Sequence, residues 1–403
     1  RGGLVTFFTM AYIIVLNPLI IGTVPDKNGN LITGQPIAAA GAIGTSIAMV
    51  AVATALVAGL MTILMGVYGR FPIAIATGLG LNALVAYTIA PQMTWSQAMG
   101  LVVWEGILIT ILVLTGFRRA ILNAVPRPLR AGISVGIGLF IAFIGLYDAG
   151  VVRQQASGAV PVELGVNGAL QGWPIGIFLI TLLILIVLYV RRVKGSILIA
   201  ILAGTVLAVI VETLTKTGGM FDSAGKLVNP TGWKLNVPML TDFHTPTFGL
   251  PLPDMFGAFT GAAGPGAVLG LLLLVFSLLL SDFFDTMGTM VAVAAEGGLL
   301  QEDGNPPRSQ EILLVDSLAA IAGGVGSVSS NTSYIESAAG VGEGARTGIA
   351  SIVTGLAFLL AIVLSPLVNM VPSEAAAPAL FFVGFLMMSQ VTEIDWTDPE
   401  VAI

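Results

Sequence analysis

Long apolar stretches separated by short polar joints dominate the chain. They fall at about 3–24, 37–68, 72–90, 97–117, 128–148, 173–191, 195–214, 264–296, 309–328, 329–342, 347–371 and 376–391. Several reach the ~20 residues with which an α-helix crosses a bilayer. Runs such as Ile175 to Val190 and Leu269 to Leu280 carry almost no polar side chain. The pattern predicts an all-α polytopic membrane protein with twelve crossings. The longest polar stretch, Lys216 to Ala263, predicts a loop rich in Gly and Pro.

Two crossings break the pattern. The third, from Phe71-Pro72 to Ala90, and the tenth, from Gly326 to Gly342, are short and mix Pro or Gly with hydroxyl and amide side chains. Such segments make poor continuous helices, and lipid cannot satisfy free backbone N–H and C=O groups, so they must be buried in protein or line a cavity. A pair of interrupted segments in corresponding places of two halves points to a transporter site. Segments three and ten are seven apart, an odd interval, which places two seven-segment repeats in opposite orientations. A full set would be fourteen, so the last two helices are expected to be missing from this chain, which ends soon after Glu393-Ile394-Asp395-Trp396-Thr397-Asp398.

Composition sharpens the class. Hydrophobic residues make up 56% and charged residues 9%, with a mean hydropathy of +0.97, whereas a soluble domain carries about 25% charged residues. With the N-terminus in the cytoplasm, Arg1, Arg70, Arg118, Arg119, Arg127, Arg130, Arg191, Arg192, Lys194, Arg308 and Arg346 fall on one side. Lys27, Arg153, Lys216, Lys226 and Lys234 fall on the other, a division of 11 against 5. The positive-inside rule favours that orientation. Cysteine is absent, which excludes disulfides and thiolate chemistry, and no basic face offers itself to nucleic acid. The single histidine, His244, lacks partners for a metal site and reads as a solvated loop residue.

Ionisable groups inside a membrane cost roughly 2.5–3.5 kcal/mol or more at a helix centre, so each is a functional hypothesis. Glu336 stands in Ser329-Ser330-Asn331-Thr332-Ser333-Tyr334-Ile335-Glu336-Ser337 on the tenth segment. A carboxylate there can bind a ligand N–H group and, because burial disfavours its charged form, exchange a proton; the alternative is a carboxylate that only ties two helices together. Asp285 on the eighth segment has Asp282 one turn earlier on the same helical face. Two close carboxylates do not both ionise in a low dielectric, which suits proton coupling by Asp282, Asp285 or Glu336. Phe283 and Phe284 can stack on a flat ligand or pack in the core. On the third segment Thr77-Gly78-Leu79-Gly80-Leu81-Asn82 offers Gly80 for close backbone approach, and Asn82, which can donate and accept, for a heterocycle edge. Glu105 and Asp316 lack such company and read as interhelical hydrogen-bonding groups. Gly132 to Gly136 and Gly266 to Gly270 have GxxxG spacing, which permits close helix contact. No Walker A, HExxH or GxSxG pattern occurs, which argues against ATP-driven pumping and against an enzyme. No cofactor or metal is expected.

Five motifs occur in order: Thr6-Phe7-Phe8-Thr9-Met10-Ala11-Tyr12-Ile13-Ile14 with Asn17-Pro18; Gly78-Leu79-Gly80-Leu81-Asn82-Ala83; Gly136-Ile137-Gly138-Leu139-Phe140-Ile141-Ala142-Phe143-Ile144-Gly145-Leu146; Phe284-Asp285-Thr286-Met287-Gly288-Thr289; and Thr332-Ser333-Tyr334-Ile335-Glu336-Ser337-Ala338-Ala339-Gly340-Val341. Over essentially its whole length the chain resembles the AzgA-like branch of the nucleobase:cation symporters, the adenine, guanine and hypoxanthine permeases. The resemblance implies an inverted 7+7 transmembrane repeat with core and gate domains. It divides the chain into 1–117 (core, first repeat), 118–215 (gate), 216–263 (extracytoplasmic loop), 264–371 (core, second repeat) and 372–403 (gate, incomplete). It implies proton-coupled import of purine nucleobases across the cell inner membrane, with the purine between the two interrupted segments. Asp285 and Glu336 would contact it, with Asp282 as neighbour, Asn82 and Gly80 on the third segment, and Tyr334 and Phe284 beside the ligand. By analogy with related folds alone, the chain is compatible with a homodimer. The rivals are an inorganic-anion transporter or channel on the same architecture, and a metal-dependent membrane enzyme. Against the first, segments three, eight and ten contain no Lys or Arg to meet an anion.

Overall fold

The computed structural model describes residues 1–116, 127–154, 161–222, 226–234, 237–238, 240, 242–245, 249, 252–262, 264–302, 304–394 and 396. Arg118 and Arg119, the 117/118 boundary, part of the long loop, and Asp395, Thr397 and Asp398 lie outside them. Among the described residues nine helices are long and apolar enough to cross a membrane: Gly2–Ile21, Ala42–Gly69, Trp95–Leu114, Ala131–Asp148, Trp173–Val190, Ser196–Thr215, Pro265–Glu296, Ile349–Met370 and Ser373–Thr392. The other three expected crossings are of a different kind. Segment nine, Ser309–Val325, is a 17-residue helix that carries Glu311 and Asp316. Segments three and ten are a strand followed by a short helix: β1, Ile75–Thr77, leads into Leu79–Ala83, and the later strand Asn331–Ser333 leads into Ser337–Gly342. Between them in sequence lie two short strands, β2 (Val152–Gln154) and β3 (Val162–Leu164), which form a hairpin after segment five. Asn331–Ser333 is thus β4.

The packing obeys the predicted inversion. Shifting by seven segments turns one into eight, two into nine, three into ten, four into eleven and five into twelve. Segment four packs on nine, and two packs on eleven; one packs on eleven, and eight packs on four; three meets ten, and five meets twelve. Every one of these contacts has its counterpart, or is its own. Two groups result: segment twelve packs on five, six and seven, with six also on seven, and the remaining eight segments form the second group.

Lipid is as apolar as the helix surfaces, so close backbone approach rather than hydrophobic burial holds such helices together. Glycines permit it at the paired crossings. A Cβ on Gly138 of segment five would fall 2.6 Å from the carbonyl oxygen of Gly384 on twelve, and one on Gly384 would fall 2.4 Å from that of Gly138. Gly59 and Gly355 do the same for segments two and eleven. The GxxxG glycines do not: nothing lies within 4 Å of a Cβ built on Gly132, Gly136, Gly266 or Gly270. Their spacing is right, but among the described residues none approaches them, so the close contact that the spacing permits is not seen there.

Candidate functional site

β1 and β4 pair antiparallel, with Ile75 opposite Ser333, Ala76 opposite Thr332 and Thr77 opposite Asn331. The strands form here because Pro72 stops the preceding turn from continuing as helix, and all six paired residues are buried. Buried backbone must be satisfied from within the protein. The Thr62 hydroxyl donates to the Ile75 carbonyl and accepts from its N–H, both at 2.9 Å. Ser351 donates to the carbonyls of Phe71 and Ile73 at 2.8 Å, and Ser337 accepts from the Ala74 N–H at 3.0 Å. Before β4 the chain passes through Ser327 and Ser329 at φ +58° and +70°. Left-handed backbone is uncommon outside glycine and gathers at functional sites.

The ladder brings most of the predicted residues together. Tyr334, immediately after β4, is buried, and its hydroxyl donates to the Thr77 carbonyl at 2.5 Å, closing the two interrupted segments on each other. Glu336 follows, half-buried, and interacts electrostatically with Tyr334 and Asp285. Asp285 is solvent-accessible. Phe284 is half-buried beside Phe283, with ring centroids 5.6 Å apart in an edge-to-face arrangement. Phe283 is 1% exposed and belongs to the core.

Two residues that sequence reasoning passed over complete this group. Tyr12, at the break between helices Gly2–Met10 and Ile13–Ile21 of the first segment, donates its phenol proton to Glu336 Oε1. Asn17 accepts from Asn82 Nδ2 at 2.6 Å and donates to Thr54 Oγ1 at 2.8 Å and to the Val328 carbonyl at 3.3 Å. Both sit in the first motif, and each is a polar side chain in an apolar run that must find a partner. Asn82 is 0% exposed with its amide donor committed to Asn17. Gly80 is half-buried, and a Cβ there would lie 2.5 Å from Ile137 Cγ2, so the third segment passes close to segment five at this glycine.

Glu105 and Asp316 are not isolated, contrary to the expectation from sequence. Asp316, 2% exposed, accepts from Thr286 at 2.6 Å and from the Ser333 hydroxyl at 2.8 Å. Glu105 and Asp282, both 0% exposed, lie within electrostatic reach of it and of each other. Ser330 donates to Glu105 Oε1 at 3.3 Å, while Oε2 has no partner. The Thr332 hydroxyl lies near Asp282 but is bonded to Thr286 at 2.7 Å, and neither Asp282 oxygen meets hydrogen-bond geometry. Three helices that are far apart in sequence carry these acids, and spacing along one helix could reveal only Asp282.

His244 is half-buried in the loop rather than fully solvated. Among the described residues no group of three His, Cys, Asp or Glu side chains could hold a metal ion. A cavity of about 250 Å³ lies between Phe8 of the first segment and Leu198 of the seventh, away from the acids.

A profile of the permease family, Xan_ur_permease, matches residues 1–402. The guanine/hypoxanthine permease PbuG of Bacillus subtilis is 37% identical over 409 residues, covering 100% of this chain and 82% of that protein. The adenine permease AdeP of Escherichia coli is 33% identical and covers 98% and 78%. The nucleobase transporter PlAzg2 of Paenibacillus larvae is 30% identical and covers 98% and 69%. Among solved structures, the transmembrane domain of the cyanobacterial bicarbonate transporter BicA aligns with a TM-score of 0.62 at 15% identity, over 96% of this chain and 88% of that one. The murine anion transporter Slc26a9 aligns with a TM-score of 0.60 at 12% identity, over 99% and 61%. At such identities the likeness is one of fold, the inverted repeat of seven segments.

Proposed function

The chain belongs to the permease family, and on that premise we propose that it is a proton-coupled symporter that imports purine nucleobases such as hypoxanthine, guanine or adenine. One observation carries the reading: Asp285 and Glu336 come within electrostatic range of each other beside the ladder where the two interrupted segments meet. A purine presents N–H groups along its edges, and two carboxylates facing a shared space can accept them. Tyr334 and Phe284 supply aromatic faces, and Asn82 and Gly80 set the third segment through Asn17 and Ile137. A buried carboxyl takes the coupling proton, with Asp282, Asp285 and Glu336 as the candidates on segments eight and ten and Asp316 beside them on segment nine.

In this reading 1–117 and 264–371 form a core that moves against a gate of 118–215 and 372–403, with 216–263 outside the cell and the N-terminus in the cytoplasm of the inner membrane. The packing of segment twelve on five, six and seven supports that division. The anion transporters that share the fold offer a rival substrate. The absence of any Lys or Arg from segments three, eight and ten speaks for the nucleobase, because an anion there would meet carboxylates and no counter-charge.

Uptake of radiolabelled hypoxanthine, guanine, adenine and uracil into purine-transport-deficient cells expressing the protein tests this. Purine accumulation that collapses with a protonophore and with Glu336→Gln is expected. Expression in the membrane without accumulation of any nucleobase would overturn the assignment.

A further inference from the structure

The carboxyl cluster of Glu105, Asp282 and Asp316 lies apart from the purine contacts just described, and all three acids are buried. Among the described residues no Lys or Arg pairs with it: the three ion pairs there, Arg1 with Glu343, Lys194 with Glu343 and Arg308 with Glu311, all involve exposed or half-buried side chains. Segment nine packs on segment four, which brings Glu105, and on segment two, whose only charged or phenolic residues, Tyr68 and Arg70, lie exposed at its end. β1 and β4 carry no titratable side chain. Segment eight brings Asp282 and, one turn on, Asp285.

The cluster is rich in acceptors and poor in donors. Both oxygens of Asp316 are supplied, by Thr286 and Ser333. Glu105 Oε2 and both oxygens of Asp282 have no donor, although all are buried. A buried acceptor without a donor is costly, and an uncompensated buried charge more so. Protons are the missing donors. One on Asp282 and one on Glu105 remove two charges and leave Asp316, the acid already surrounded by hydroxyl donors, as the remaining anion.

We propose that the coupling proton binds at Asp316, while Glu105 and Asp282 hold resident protons, so that the cluster alternates between two protons and three. The proposal rests on the proton-coupled reading above and gives the proton a place separate from the purine-facing pair. Protonation turns one Asp316 oxygen from acceptor to donor, so Thr286 or Ser333 must reverse or release its hydroxyl. Ser333 stands opposite Ile75 in the ladder, and Thr286 is bonded to Thr332 at its centre. Proton occupancy is thereby linked to the strand that positions Tyr334 and Glu336. By reciprocity, purine binding must change the affinity of Asp316 for the proton by the same factor as the proton changes that for purine.

The test is calorimetry of hypoxanthine binding to the purified protein in nanodiscs near neutral pH, in two buffers of different ionisation enthalpy, which counts protons taken up. The wild type is expected to take up about one proton per purine. Asp316→Asn should still bind hypoxanthine within about tenfold of wild type, with uptake near zero. Glu105→Gln mimics the resident acid and should keep the wild-type uptake. Wild-type uptake in Asp316→Asn, or its loss in Glu105→Gln, would overturn the assignment. Infrared spectroscopy gives a second readout that needs no purine. The C=O stretch of protonated carboxyls, growing in as pH is lowered, should lose one carboxyl's share in Asp316→Asn, and an unchanged band would also overturn the proposal. If hypoxanthine does not bind the wild type, the purine reading fails while the infrared titration still decides the proton site.

Discussion

The Tyr87 hydroxyl donates to Asp148 Oδ2 at 3.0 Å, joining the end of the third segment to the end of the fifth. This is a polar link between the segment that carries β1 and a helix of the other packing group. Asp148 is 4% exposed, so its carboxylate depends on such donors.

Tyr87→Phe removes the donor and leaves the acceptor buried, at a cost of about 1–3 kcal/mol. The expected result is a lower thermal midpoint of the detergent-solubilised protein. Purine affinity should change little, since neither residue borders Asp285 or Glu336. A midpoint equal to wild type would show that water or another donor replaces the phenol.

Lys234 offers a pH-dependent test. Its backbone N–H donates to Glu374 Oε1 at 2.7 Å, its ammonium donates to the Tyr147 carbonyl, and that ammonium sits 3.3 Å from the centre of the Tyr147 ring. Burial pushes its pKa from the ordinary 10.5 down to about 8, against the opposing pull of Asp148 and Glu374. Between those values the unfolded chain holds a proton that the folded chain has released. Stability therefore rises with pH across that window and gains nothing from this group below it. Relative to Lys234→Met, wild type should gain thermal stability from pH 8 to pH 10. A constant difference would mean that the lysine keeps its ordinary affinity for the proton.

Asn82 and Asn17 should behave as a coupled pair. Asn82→Ala strands Asn17 Oδ1 in the interior, and Asn17→Ala strands Asn82 Nδ2 together with Thr54. Each is expected to cost about 1–3 kcal/mol. The double variant should cost less than the sum, because the second truncation removes a group that the first had already left unpaired. Thermal denaturation of the four proteins measures the difference, and additivity would mean that the 2.6 Å bond carries no coupling.

Reading the chain by its hydrophobic pattern located the nine membrane-crossing helices of the described residues, because burial in lipid leaves a mark on each stretch separately. The two interrupted segments were legible for the same reason: Pro72 and the run from Ser329 to Ser333 are out of place in a continuous apolar helix. Partnership was not legible. Tyr12 is 324 residues from Glu336, and Glu105 is 225 from Ser330, and nothing in the local pattern of either announces the other. Glycine spacing misled for the converse reason. Gly132 and Gly136 satisfy the motif yet face open space, whereas Gly138 and Gly384 match no shared pattern and touch backbone to backbone.

The contact pattern of the paired segments is the same read from either half, and its centre is the Ala76/Thr332 rung. The chemistry hung on that frame is lopsided. Asp282, Asp285, Asp316 and Glu336 belong to the later half, while near the interrupted segments the earlier one answers with Tyr12, Asn17, Asn82 and Glu105. A scaffold of this kind is ambidextrous, and handedness enters through its side chains.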